Sequence, residues 1–239
     1  MTGGVEAGPD LIGRDAEVAA IRETLAADGT LVVTGEAGVG KTALVRAATD
    51  GTERRRFEGG GLATLAWMPY LPLTRATHLD LAGDADWAAG QVERAVGADV
   101  LFVDDLQGAD AGTVSVVERL VGRIAIVAAI RSDADEGQAV LESLLGAGAR
   151  RLHLEPLPPE TAVALARRAH PDVGAERARR IAAQAGGNPL LIEQLTGADP
   201  SPSLRLAVAA RLRDVSPADR ATLGLLVLAD RPMPSDLVD

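Results

Sequence analysis

The chain has 239 residues, of which 47% are hydrophobic and only 2% aromatic, and its formal net charge is −10. This length suits one large α/β domain and a smaller helical one, with a core of alanine, valine, leucine and isoleucine. The acidic balance argues against direct nucleic-acid contact, and the absence of cysteine excludes disulfides, thiolate zinc sites and cysteine nucleophiles.

Neither a membrane span nor a signal peptide is predicted. No apolar run approaches the roughly 18 residues that a spanning helix needs. The glycine-rich start lacks the basic and apolar regions of a signal peptide. We therefore expect a soluble cytoplasmic protein without membrane contact.

Apolar periodicity predicts the elements in chain order. Helices are predicted at 14–27, 41–49, 85–96, 113–121 and 137–145, and strands at 30–34, 100–103, 123–130 and 151–154. Short strands that alternate with helices indicate an α/β fold with a parallel sheet covered on both faces. The charged, glycine-rich residues 51–61 are predicted to be a surface loop, with a weak strand at 62–66. Trp67 and Tyr70 are expected to pack against the sheet.

The pattern changes at the proline-rich residues 155–159, EPLPP, which mark the predicted domain boundary. Residues 1–155 form the predicted α/β domain. Residues 156–200 form a smaller all-α domain, with helices near 160–169, 175–185 and 188–196. Residues 201–239 are expected to begin a further helical domain, with helices near 203–213 and 217–229.

Residues 35–42, GEAGVGKT, match the phosphate-loop pattern GxxxxGK[ST] in full. Its glycines let successive N–H groups converge on phosphates, and the following helix points its positive N-terminus at the same anion. Lys41 can reach the β- and γ-phosphates, and the Thr42 hydroxyl can ligate Mg²⁺. The predicted nucleotide contacts are Gly35, Glu36, Ala37, Gly38, Val39, Gly40, Lys41, Thr42 and Ala43.

Two further strand ends carry charged side chains. The apolar run 100–103 ends in Asp104 and Asp105, which resembles the second signature of P-loop ATPases. By that resemblance Asp104 holds Mg²⁺ and Asp105 orients or deprotonates the attacking water; an acidic cap on the strand is the alternative. Arg131 follows the next strand, where ligands bind in open α/β sheets. It could sense the γ-phosphate or pair with a nearby acid such as Asp133.

Three further motifs resemble the STAND class of AAA-related signal-transduction ATPases. They are LIGRDAE at residues 11–17, VDDLQGAD at 103–110 and GGNPLLIE at 186–193. The likeness covers roughly residues 10–197 and is greatest to the ATPase domains of large LuxR-type bacterial transcription regulators. It implies that Gly13 and Arg14 lie against the adenine or ribose, that Pro189 packs on the adenine from a helical lid, and that Arg131 is the first sensor.

The resemblance implies a Mg²⁺-dependent ATP switch with slow hydrolysis to ADP, whose partner domains or self-association would belong to an intact regulator. We expect the chain to be an excised part of such a protein, with 201–239 the start of a truncated winged-helix or helical domain. The alternative is a stand-alone relative with an abbreviated C-terminus. Two other functions stay open at this point. One is a scaffold that holds nucleotide without hydrolysis, and the other is a P-loop small-molecule kinase.

Overall fold

A parallel sheet of five strands forms the centre of the computed structural model, which describes residues 11–132 and 135–196. The strands are β1 (Thr30–Gly35), β2 (Arg56–Gly60), β3 (Val100–Asp104), β4 (Ala125–Arg131) and β5 (Arg150–Leu154). Their order across the sheet is β2-β3-β4-β1-β5, and every pair is parallel. The predicted α/β fold with a parallel sheet is confirmed.

Helices cover both faces of the sheet. They are α1 (Asp15–Ala26), α2 (Lys41–Thr49), α3 (Leu71–Thr77), α4 (Ala85–Val96), α5 (Ala111–Leu120) and α6 (Asp135–Gly146). Alternate side chains of β3 pack on opposite faces of the sheet, because successive side chains of a strand point in opposite directions. Leu101 and Val103 join the cluster under α3 to α6, whereas Val100 and Phe102 join the cluster under α1 and α2. Burial on both faces explains the continuous apolar runs in the sequence.

The strand register brings three predicted site residues to one edge of the sheet. Gly35 at the end of β1 lies opposite Arg131 at the end of β4. Asp104 at the end of β3 lies opposite Gly60 at the end of β2. Since β3 also pairs with β4, the carboxyl ends of all four strands collect around one crevice.

Three helices follow the sheet: α7 (Pro159–Ala169), α8 (Ala175–Gln184) and α9 (Pro189–Thr196). They pack around a third apolar cluster, which includes Leu157, Leu165, Ile181 and Ile192. The described residues up to Thr196 belong to one compact unit. The helices predicted at 203–213 and 217–229 lie outside the described residues.

Residues 51–61 are not simply a surface loop, because 56–60 form β2 at the edge of the sheet. The prediction failed because this strand contains two glycines and two charged residues, with Phe57 as its one large apolar side chain. Its charges are paired on the surface: Glu58 accepts hydrogen bonds from both Arg46 and Arg56. Neighbouring parts of the chain therefore stabilise β2, although its own residues have low strand propensity.

The segment after β2 also differs from its prediction. Residues 63–65 form a short 3-10 helix rather than a strand. Trp67 does not pack against the sheet, since 75% of its surface is exposed. Tyr70 is buried as expected, and its hydroxyl donates to the Gly83 carbonyl oxygen at 3.1 Å. Among the described residues, no helix is long and apolar enough to cross a membrane.

Candidate nucleotide-binding site

The loop at residues 35–42 joins the end of β1 to the start of α2, as predicted. Gly38 and Gly40 have φ values of +79° and +102°, in the left-handed region that favours glycine. The loop therefore curls tightly, and the first turn of α2 points its unpaired N–H groups into the curl. This is the backbone geometry that binds a phosphate chain.

The side chain of Lys41 lies beneath this curl. The residue is 93% buried, and its Nζ donates to the carbonyl oxygens of Gly35 and Glu36, each at 2.9 Å. These bonds hold the ammonium group inside the loop rather than in solvent. A cation fixed at this place stabilises an anion held by the surrounding N–H groups.

The two predicted metal ligands, Thr42 and Asp104, contact each other. The Thr42 hydroxyl donates to Asp104 Oδ2 at 2.6 Å, although the residues are 62 apart in sequence. Burial raises the pKa of the Asp104 carboxyl; the Thr42 hydrogen bond opposes this, and the charge of Asp105 adds to it. Bringing a cation to the carboxylate would relieve the cost of burying its charge.

The oxygen donors of Thr42 and Asp104 fit Mg²⁺. Magnesium prefers hard oxygen ligands and is usually bound by one or two protein groups together with substrate phosphates and waters. The described residues contain no cluster of three or more histidine, cysteine or acidic side chains that could form a separate metal cage. The hydroxyl and carboxylate beside the phosphate loop are the groups that would hold the ion.

Asp105 is exposed at the mouth of the crevice, and its backbone is left-handed with φ +46°. Its N–H donates to Asp104 Oδ1 at 3.0 Å, so the two acids form one rigid turn. Gln107 holds this turn from the other side. Its amide donates to Asp105 Oδ1 at 3.1 Å, while its own Oε1 accepts from the Arg131 N–H at 3.1 Å.

Gln107 thus links the ends of β3 and β4 and fixes the direction of the Asp105 carboxylate. Gln107 lies within the motif at residues 103–110, which predicted no role for it. Its position two residues after Asp105 was a usable signal, since a side-chain amide can donate and accept at once. Arg131 itself is half-buried beside Gly35, as the register requires.

An apolar pocket of about 520 Å³, including its open mouth, lies on the other side of the phosphate loop. It is lined by Leu11, Ile12, Arg14, Val39, Gly40, Ala43, Leu157, Leu165, Arg168, Pro189 and Glu193. The segment before α1, the phosphate loop and helices α7 and α9 all contribute. The structure brings together Arg14, Ala43 and Pro189, which are far apart in sequence and were predicted to contact nucleotide.

Gly13 and Arg14 both make close contacts with other residues of the protein. A Cβ on Gly13 would lie 2.6 Å from the Thr161 methyl carbon, so this turn packs closely on α7. The buried guanidinium of Arg14 donates to Glu17 Oε1 at 2.8 Å and to the Glu155 carbonyl oxygen at 2.5 Å. Arg14 therefore positions the pocket wall, and its hydrogen bonds tie residues before α1 to the end of β5.

Asn188 was another residue without a predicted role. It is 4% exposed, and its side-chain amide donates to the Ala37 carbonyl oxygen of the phosphate loop at 2.9 Å. The same side chain caps α9 through its Oδ1. The signal for the cap was present, because asparagine before Pro-Leu-Leu is a typical helix start; the contact with the loop was not predictable.

A solvent-open cleft adjoins the two acids on the β2 side. Its walls include Gly60, Leu62, Arg75, Asp104 and Asp105. Arg75 is exposed, and its side chain forms no hydrogen bond or ion pair with the residues that the structure describes, 11–132 and 135–196. This cleft gives water access to the Asp105 carboxylate.

The model of the AAA ATPase domain family matches residues 10–100, which is less than half of the chain. No curated protein matches the chain. Among solved structures, similarity extends to a STAND protein with a tetratricopeptide repeat sensor from Pyrococcus horikoshii. The TM-score is 0.50 at 19% identity, and the match covers 98% of this chain but 38% of that protein.

Two other solved structures share the fold. A Walker-type ATPase of Pyrococcus abyssi has a TM-score of 0.54 at 14% identity, over 92% of this chain and 77% of that one. The RuvB Holliday junction branch migration motor of Thermotoga maritima has a TM-score of 0.53 at 16% identity, over 77% and 61%. The parallel sheet and the phosphate loop define a P-loop NTPase fold, and residues 10–100 are similar to the AAA ATPase domain family.

Proposed function

We propose that the chain binds ATP with Mg²⁺ and hydrolyses it slowly, and that the bound nucleotide controls the conformation of the protein. The observation that carries the proposal is the contact between Thr42 and Asp104, at 2.6 Å, directly beneath a fully formed phosphate loop. Asp105 stands next to this pair and faces solvent. A hydroxyl, a half-buried carboxylate and an exposed carboxylate beside a phosphate loop support this proposal, because they are groups that a hydrolytic site uses.

In this proposal the triphosphate lies in the loop and the base enters the apolar pocket. N–H groups of residues 35–42 bind the phosphates, and Lys41 neutralises the β- and γ-phosphates. Ala43 and Pro189 border the base, because they line the pocket directly behind the loop. Gly13 and Arg14 support the base indirectly, through their contacts with Thr161 and Glu155.

Hydrolysis in this proposal uses two acids with different roles. Asp104 and Thr42 hold Mg²⁺, which when bound neutralises charge on the phosphate oxygens. Asp105 orients the attacking water and accepts its proton, with Gln107 fixing the carboxylate through the 3.1 Å hydrogen bond to Oδ1. Arg131, at the end of β4, senses the γ-phosphate or stabilises charge in the transition state.

The switch follows from the composition of the pocket. The walls of the pocket come from the phosphate loop and from α7 and α9. Nucleotide that fills the pocket therefore binds more tightly when these helices have one arrangement than when they have another, and so favours that arrangement. We propose that the helices act as a lid and that the protein works in signalling or transcription, as in the LuxR-type regulators that its motifs resemble. Self-association or partner domains would receive the signal.

The test is phosphate release from Mg·ATP by the wild type, Asp105→Asn and Lys41→Ala. We expect slow turnover in the wild type, and a loss of about a hundredfold or more in Asp105→Asn with nucleotide still bound, because general-base catalysis contributes about that factor. Lys41→Ala gives the background. Wild-type turnover no greater than this background, with ATP bound, would contradict hydrolysis and favour a nucleotide-holding scaffold.

A further inference from the structure

Asn188 joins the helical part of the protein to the phosphate loop with both ends of one side chain. Its Nδ2 donates to the Ala37 carbonyl oxygen at 2.9 Å. Its Oδ1 accepts from the N–H groups of Leu190 at 3.1 Å and Leu191 at 3.4 Å, in the first turn of α9. The residue is 4% exposed, so these bonds are largely shielded from water.

The first turn of α9 also contacts the loop through its backbone. The Leu190 N–H donates to the Gly38 carbonyl oxygen at 3.2 Å. A Cβ on Gly38 would lie 2.8 Å from Leu190 Cβ and 2.9 Å from Asn188 Oδ1. The start of α9 therefore lies directly against the outer side of the phosphate loop.

The peptide groups of the loop carry this contact to its inner side. In a trans peptide the carbonyl and the N–H point in opposite directions, and no described peptide bond is cis. With the Ala37 and Gly38 carbonyls held outward by α9, the N–H groups of Gly38 and Val39 face into the curl. The Val39 N–H donates there to the Glu36 carbonyl oxygen at 3.4 Å. The Gly38 N–H has no hydrogen-bond acceptor among the residues that the structure describes.

We propose that Asn188 is a positioning residue that fixes the phosphate-binding N–H groups and couples phosphate binding to the docking of α9. A hydrogen bond accepted by a carbonyl polarises the N–H of the same peptide, so donation from Asn188 strengthens the Gly38 N–H as a phosphate donor. By linkage, phosphate in the loop stabilises the docked α9 to the same extent. The inference rests on the proposed nucleotide binding and names the residue that carries its effect to the helices.

Asn188→Ser separates the two roles of the side chain. Serine caps a helix about as well as asparagine and is also neutral, but it is too short to reach the Ala37 carbonyl. The matched control is Asp84→Ser, because Asp84 caps α4 by accepting from the Trp87 N–H and makes no contact with the loop. Both variants of the full chain are compared with the wild type.

Binding of ATP, ADP and adenosine is measured by competition against a fluorescent ADP analogue, with Mg²⁺ present. We expect Asn188→Ser to weaken ATP and ADP by about threefold to tenfold, the effect of one lost hydrogen bond, and to leave adenosine unchanged. Asp84→Ser binds all three like the wild type. Equal losses for ADP and adenosine, or no loss for ADP, would overturn the proposal.

Hydrogen exchange at the Leu190 amide gives a readout that needs no nucleotide. In the nucleotide-free protein we expect Asn188→Ser to speed this exchange, and ADP to slow it more in the wild type than in the variant. Unchanged exchange in the variant would show that Asn188 does not hold α9 on the loop. A wild type that binds neither ATP nor ADP would instead refute the proposed nucleotide binding itself, whatever the exchange of Leu190.

Discussion

The contact between the phosphate loop and α9 can be measured as a difference between two glycine-to-alanine substitutions. Gly38 and Gly40 both have left-handed φ values, +79° and +102°. They differ in surroundings: a Cβ on Gly38 would lie 2.8 Å from Leu190 Cβ, whereas a Cβ on Gly40 would have nothing within 4 Å. Both alanine variants would therefore have a strained left-handed backbone, but only Gly38→Ala would also bring a methyl group against α9.

The expected magnitudes follow from these two terms. A left-handed conformation costs an alanine about 1–2 kcal/mol, and both variants lose this much. Gly38→Ala loses about 1–3 kcal/mol more, the usual cost of inserting a methyl group into a close-packed contact, because Leu190 Cβ is next to the backbone and cannot move away freely. We therefore expect a destabilisation of about 2–5 kcal/mol for Gly38→Ala.

The assay is urea unfolding of the nucleotide-free protein, followed by far-ultraviolet circular dichroism, for the wild type and both variants. The difference between the two alanine variants gives the contribution of the α9 contact. Hydrogen exchange at α9 should rise in Gly38→Ala and stay at the wild-type rate in Gly40→Ala. Equal unfolding free energies for the two variants, with equal exchange at α9, would refute a rigid contact between loop and helix.

Two further substitutions test the site and the edge strand. Gln107→Ala should lower kcat by about fivefold and leave the affinity for ATP unchanged, because Asp105 loses an orienting hydrogen bond of roughly 1 kcal/mol. A rise in KM of about fivefold with kcat unchanged would contradict this role. Glu58 accepts from Arg46 and Arg56, and although burial alone would raise its pKa, these two hydrogen bonds lower it. A lowered pKa contributes stability above the ordinary value of 4.5 that is lost as pH falls below it. Glu58→Gln should therefore reduce the free energy of unfolding by about 1 kcal/mol at pH 7 and by much less near pH 3. Urea unfolding at the two pH values measures this difference. A loss of unfolding free energy that is the same at both pH values would argue against the ion pairs.

Local sequence predicted most of the α/β core. The strands β1, β3 and β4 are mainly apolar because both faces are covered, and such runs are recognisable without knowledge of their neighbours. The edge strand β2 was missed for the opposite reason. Its hydrogen bonds come from β3 and its charges are balanced by Arg46, neither of which its own five residues reveal.

The sequence by itself determined the phosphate loop, since its glycines, Lys41 and Thr42 act through backbone conformations and short spacings set within eight residues. It also indicated that an acid would follow β3. Only the tertiary structure decided that Thr42 meets Asp104 across 62 residues and that Asn188 reaches Ala37 across 151. Such contacts depend on the order of strands in the sheet and on where α7 to α9 dock. Those are outcomes of packing the whole chain, which no short stretch of sequence specifies.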